Sequence, residues 1–268
     1  MIIPATTYYR YSFLVQTRRK TVIHPPFIYN AIKTARLECG DEPGEPGEPG
    51  EPGDGNRMVL DASWSPYAAE QHPFSVTLQE RMDHVWDLVD RSLEYWPRFF
   101  ETKGRLLEYG IQESRIPVKM PRKVSHILIA TRSPLCASLV DEGHRRYVRP
   151  SDLQDFRNLI IQAVRKCRDL FGELRQSTYD RIMDFSEEVS CFANDVRYFP
   201  SFSLRTDGSL RVTKSVVGSM LYGSDRWLPE VLQLLSLAEA VHLGQKTAYG
   251  LGSVSIDVMM SLSRAKGG

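Results

Sequence analysis

Apolar positions recur along this chain with two different periods, which divide it into strands and helices. Tyr8–Gln16 is crowded with aromatic and β-branched residues and predicts an opening strand. After Pro25-Pro26, the residues Phe27, Ile28, Ala31, Ile32 and Ala35 fall on one face of a helix that runs to Cys39. Short strands are expected at Met58–Ala62 and Phe74–Leu78. An amphipathic helix is expected over Arg81–Phe100, because Met82, Val85, Trp86, Val89, Leu93 and Trp96 recur near helical spacing. Trp86 and Trp96 are expected in the core, and Pro97 is expected to end or kink that helix. A strand at Arg105–Glu108 completes the first half.

The basic, proline-punctuated stretch Pro117–Lys123 reads as a domain boundary. Beyond it, a strand over Ser125–Ala130 ends in Thr131-Arg132-Ser133-Pro134-Leu135. A helix follows over Ser151–Phe171, with Ser151 as N-cap and a polar face that holds Arg165, Lys166 and Arg168. A second helix is expected over Arg175–Asn194, and then a hairpin of Phe202–Leu204 and Leu210–Thr213 around Asp207-Gly208. A helix over Leu228–Ala240 and a strand over Ser253–Met259 close the chain. Each half mixes strands, helices and antiparallel hairpins. The pattern is α+β, consistent with two copies of one β-α-β-β-type unit, at residues 1–120 and 121–268.

One tract interrupts this order. Glu-Pro-Gly occurs four times in succession between Glu42 and Gly53. Such a composition cannot bury a core, so residues 41–55 are expected to form a disordered insertion.

The formal net charge of +1 points to no particular partner, but it averages two unlike parts. The inserted tract is acidic, while arginines and lysines cluster elsewhere, as at Arg18-Arg19-Lys20 and Arg145-Arg146, so the folded part is the more basic. Four cysteines (Cys39, Cys136, Cys167, Cys191) are scattered without a paired spacing, which fits reduced thiols of a cytoplasmic protein. The opening residues have neither a basic n-region nor an apolar h-region, and no apolar run approaches the roughly 20 residues of a membrane helix. No metal-ligand spacing appears, so neither metal nor cofactor is expected.

The segment richest in chemistry is His242-Leu243-Gly244-Gln245-Lys246-Thr247-Ala248-Tyr249-Gly250-Leu251-Gly252. Glycines allow main-chain N–H groups to approach a ligand closely, and a lysine beside them suits phosphate. The spacing matches neither a P-loop nor a dinucleotide fingerprint, so a nucleic-acid backbone is the better expectation. Taken alone, the same segment also reads as a tight turn between helix and strand.

In combination these motifs resemble the CRISPR-associated RAMP endoribonucleases, which cut repeat RNA into guide RNA. The resemblance rests on Thr131-Arg132-Ser133-Pro134-Leu135, on Val217-Gly218 within Val217–Gly223, and on the His242–Gly252 loop. Phe27-Ile28-Tyr29-Asn30-Ala31-Ile32-Lys33 looks like the family's first helix. It implies two tandem ferredoxin-like (RRM-like) domains and metal-independent cleavage, in which a ribose 2′-hydroxyl attacks the adjacent phosphorus and leaves a cyclic phosphate. It also implies CRISPR repeat RNA (crRNA) and other effector subunits as partners.

Many members of that family carry a catalytic histidine shortly after the first helix, where this chain has the Glu-Pro-Gly tract. Three readings stay open. His24 takes over, with Tyr29 beside it; or the cations Arg18, Arg19, Lys33 and Arg36 carry the reaction, as arginines do in type IV relatives; or cleavage is lost, and the chain is a non-catalytic RNA-binding subunit. RNA contacts are expected at Gly244, Gln245, Lys246, Thr247, Gly250 and Gly252, and along the hairpin at Arg205, Arg211 and Lys214. His242 follows an apolar helix and is expected to be packed. An adaptor unrelated to RNA is the rival from another class.

Overall fold

The computed structural model describes residues 7–38, 58–62, 68–78, 81–115, 123–141, 143–172, 174–204, 210–245, 247 and 250–260. The Glu-Pro-Gly tract, the connector at 117–122, the Asp207-Gly208 turn, Arg205 and Lys246 lie outside the described residues.

In the first half, β1 (Thr7–Thr21) leads through α1 (Pro25–Glu38) to β2 (Met58–Ala62) and β3 (Ala69–Leu78). Then come α2 (Val85–Ser92), a short 3₁₀ turn, α3 (Trp96–Phe100) and β4 (Gly104–Arg115). The sheet order is β2-β3-β1-β4, antiparallel throughout. The second half repeats the scheme with β5 (Val124–Thr131), α4 (Phe156–Phe171), α5 (Gln176–Glu188), β8 (Ser190–Leu204), β9 (Leu210–Gly223), α6 (Pro229–Val241) and β10 (Val254–Met260). Its sheet order is β10-β5-β9-β8. Counting strands within each half, both sheets read 4-1-3-2, with the first strand of each half in the interior. That shared order is the ferredoxin-like arrangement, present twice. A small hairpin, β6 (Ser138–Asp141) with β7 (His144–Tyr147), is inserted before α4.

Each half buries its own apolar cluster. Tyr11, Phe13 and Val15 of β1 meet Ile28, Ala31 and Ile32 of α1, Val85 and Val89 of α2, and Trp96. In the second half, Ile127 and Ile129 of β5 meet Phe156, Leu159 and Ile160 of α4 and Val231, Leu234 and Leu235 of α6. The two cores are joined, because Val59 of β2 is buried in the second cluster and Tyr8 packs against it.

The helix expected over Arg81–Phe100 begins at Val85 and is broken at Leu93–Tyr95 into α2 and α3, and the buried face of α2 holds Val85, Val89 and Ser92, which leaves Trp86 to one side. Trp96 is fully buried, but Trp86 is 40% exposed and stacks on Tyr109 of β4. The N-cap of α4 is Asp155, whose side chain accepts the Arg157 N–H, and Ser151 belongs to a preceding 3₁₀ turn. The helix expected to reach Asn194 stops at Glu188, and β8 begins two residues later.

Candidate functional site

The glycine-rich loop is folded against the end of β5 by main-chain hydrogen bonds. Leu243 N–H donates to Gly252 O at 2.8 Å, Gly252 N–H to Pro134 O at 2.9 Å, and Gln245 N–H to Cys136 O at 2.7 Å. Gly250 N–H donates to Thr247 O at 3.0 Å. The expectation that these N–H groups face outward at a ligand is therefore corrected. They are consumed inside the fold, and Gly244 and Gly252 serve close approach of backbone to backbone. Gly252 has φ +79°, and a Cβ there would lie 1.9 Å from Leu243 O; at Gly244 (φ +75°) it would lie 2.4 Å from Cys136 O. Among the described loop residues, only Gly244 and Gln245 are half-exposed. His242 is buried as expected, with Nδ1 3.2 Å from Leu251 O.

All three motifs of the second half meet at Thr131–Cys136. Ser253 O accepts the N–H of both Arg132 and Ser133, while Ser133 Oγ accepts the Ser253 N–H. Thr131 Oγ1 accepts the Gly218 N–H at 2.9 Å. Gly218 must lack a side chain, because its Cβ would lie 1.9 Å from Asp195 O. The Thr-x-x-Pro-Leu segment thus anchors both the valine-glycine segment and the terminal loop.

The loop also touches the first half. A Cβ at Gly250 would lie 2.5 Å from Pro25 Cβ and 3.4 Å from Leu60 O, so the loop rests directly on the start of α1. His24 immediately precedes that contact. Its ring lies 6.1 Å from that of Phe27, and partial burial holds its pKa below the ordinary histidine value. Tyr29, half-buried against the first core, lies one helical turn along. Lys33 is exposed, about 12 Å further along the helix axis than Pro25. The side chain of Arg36 lies outside the described residues.

Arg18 and Arg19 are exposed at the end of β1. Arg19 Nη2 donates to Glu101 O at 2.8 Å and lies 3.5 Å from the Glu101 carboxylate. Lys214 is exposed on β9 opposite Pro200 of β8, and the Arg211 side chain is outside the described residues. His24 thus adjoins the residue that touches the glycine loop, while Tyr29 stands one turn and Lys33 two turns along the helix.

Sequence reasoning missed the support beneath the loop. Lys166, expected on a solvated face, is only 3% exposed and donates from Nζ to Thr247 Oγ1 at 2.7 Å. Burial lowers its pKa to about 8, against a smaller raising influence from Asp169. Ser138, also buried, links the same region. Its Oγ accepts from Gln245 Nε2 at 2.7 Å and Arg145 Nε at 2.9 Å, and its carbonyl accepts from Arg165 Nη1 at 2.9 Å and Gln162 Nε2 at 3.1 Å. Nothing local in the sequence marks Ser138 as a hub.

This geometry has relatives. Residues 129–254, which span every motif described above in the second half, match the family model of the CRISPR-associated endoribonuclease Cas6. Over that stretch, a little under half of its length, the chain is similar to the Cas6 endoribonucleases. The product complex of a Cas6 (TTHB231) has TM-score 0.62 at 12% identity, covering 93% of this chain and 99% of that one. Thermus thermophilus Cas6 (TTHB231) itself gives TM-score 0.61 at 11% identity, over 94% of this chain and 99% of that one. The product complex of a second Cas6 (TTHA0078) gives 0.59 at 16% identity, over 94% of this chain and all of that one. At such identities the solved structures establish the shared fold, two tandem ferredoxin-like domains. No curated protein matches the chain by sequence.

Proposed function

We propose that this chain cleaves CRISPR repeat RNA at the junction of α1 with the glycine-rich loop and retains the guide RNA it makes. The observation that carries this reading is the contact between Gly250 and Pro25. It joins the glycine-rich loop, which lies within the stretch that the Cas6 family model covers, to the end of α1 that carries His24 and, one turn on, Tyr29.

Neutral His24 accepts the proton of the ribose 2′-hydroxyl, and the freed oxygen attacks the adjacent phosphorus. The bond from phosphorus to the 5′-oxygen breaks, that oxygen takes up a proton, and the products end in a 2′,3′-cyclic phosphate and a 5′-hydroxyl. The lowered pKa of His24 keeps the imidazole in its basic form at neutral pH. Charge developing on the phosphorane is met by the positive end of α1, with Arg18 and Arg19 across the strand end. Gln245 and Lys246 hold the RNA backbone beside the loop, and Lys214 extends the contact along the β8–β9 hairpin.

The cytoplasm is the setting of this reading, and there the buried thiols of Cys136 and Cys167 stay reduced. Among the described residues no helix is long and apolar enough to cross a membrane. In the family setting, crRNA and other effector subunits are the partners.

The test is purified chain with its cognate repeat RNA in EDTA on a denaturing gel. One cut with a cyclic-phosphate end supports the proposal. Tight binding without any cut supports the non-catalytic subunit instead.

A further inference from the structure

Arginines of the second half differ in what holds them. Arg146, Arg157, Arg181 and Arg132 each meet a carboxylate, from Asp152, Glu187, Glu230 and Glu239 respectively. Arg145 and Arg165 do not, among the described residues. Both are held by the uncharged Ser138, one at its hydroxyl and one at its carbonyl.

Arg168 lies close enough to influence Arg165, and its only described carboxylate is Asp169, at 3.7 Å. Burial chiefly, and then the charges of Arg145 and Arg168, disfavour the charged form of Arg165; Tyr179 and Asp169 oppose them. Holding guanidinium groups together over neutral acceptors costs free energy in the empty protein, and an anion between them offsets that cost.

Resting on the function proposed above, we propose that Arg145 and Arg165, with Arg168 at the margin, form a phosphodiester-binding site for the RNA strand. It sits beside the glycine-rich loop, and the Gln245–Ser138 hydrogen bond ties the two together. RNA lying along the loop meets this cluster within one or two nucleotides. Because Ser138 positions both arginines, the site is built before RNA arrives. The contact is to backbone phosphate, so it adds affinity without reading bases.

The experiment measures binding of the full chain to a fluorescein-labelled 20-nucleotide 2′-O-methyl oligouridylate, which cannot be cut by 2′-hydroxyl attack, across a salt series. R145Q/R165Q keeps a hydrogen-bond donor toward Ser138 and removes both charges, so the fold is preserved. R157Q, which breaks the pair with Glu187, is the control. The expected result is a log–log salt slope shallower by about two for R145Q/R165Q and unchanged for R157Q. Wild-type binding with the same slope in R145Q/R165Q overturns this site and leaves the proposed function standing. Wild-type protein that does not bind this oligomer also overturns the site, and one that binds neither it nor the cognate repeat RNA overturns both.

Discussion

Lys166 Nζ donates to Thr247 Oγ1 across 2.7 Å, so a buried lysine of α4 holds the glycine-rich loop from beneath. Desolvation makes the charged lysine costly, and the fold keeps it because it fixes the loop's one described hydroxyl. Its folded pKa, about 8, is below the ordinary 10.5. Between those values the unfolded chain binds more protons than the folded chain, so this group's contribution to stability rises with pH across that window.

K166M removes that contribution. The stability difference, wild type minus K166M, is expected to rise between pH 8 and 10.5, measured as guanidinium chloride unfolding at several pH values. Cys167 and Tyr222, whose pKa values are raised by burial, act in the opposite sense but largely cancel in the difference. K166M is also expected to weaken RNA binding about fivefold, the worth of one hydrogen bond. A pH-independent difference contradicts the burial of the charge.

His24 stands at the start of α1 with a pKa below 6.5. A base of this kind must be neutral to act, so single-turnover cleavage is expected to be flat above pH 6.5 and to fall only at lower pH. H24A is expected to slow cleavage by about 10²–10⁴-fold while leaving RNA affinity nearly unchanged. A rate within twofold of wild type assigns the reaction to Lys33, Arg36, Arg18 and Arg19.

Gly252 supports the loop through conformation alone. A Cβ there meets Leu243 O at 1.9 Å and the residue has φ +79°, so G252A must break the Leu243–Gly252 hydrogen bond. The expected loss is about 2 kcal/mol or more of unfolding free energy, read from denaturant midpoints. An unchanged midpoint means that the loop is free to refold, and contradicts its role as a fixed platform.

Much of the fold was legible in the sequence because its local signals agree with its global packing. The apolar face of α1, the strand Ser125–Ala130 and the helix before the glycine loop all appear where periodicity places them. The β8–β9 hairpin was largely hidden. From Ser190 to Pro200 the strand is mostly exposed, so no alternation of apolar and polar residues marks it.

Lys166 was misread for a related reason. Helical periodicity puts Arg165-Lys166-Arg168 on a polar face, and only the later return of residues 242–252 covers one of them. The contact of Gly250 with Pro25 spans the two domains, and no local pattern encodes it. What the glycines themselves signalled, close approach and positive φ, is present; Gly244 and Gly252 approach backbone, and Gly250 approaches the Pro25 ring.

The central claim is that RNA lies across the junction of α1 and the glycine-rich loop. The most direct measurement is photocrosslinking of full-length chain to repeat RNA blocked by a 2′-deoxy substitution at the cleavage site, with the attached peptides mapped by mass spectrometry. The account predicts crosslinks in both residues 24–33 and residues 242–252. Crosslinks confined to other surfaces, such as the exposed Trp86–Tyr109 face, contradict it.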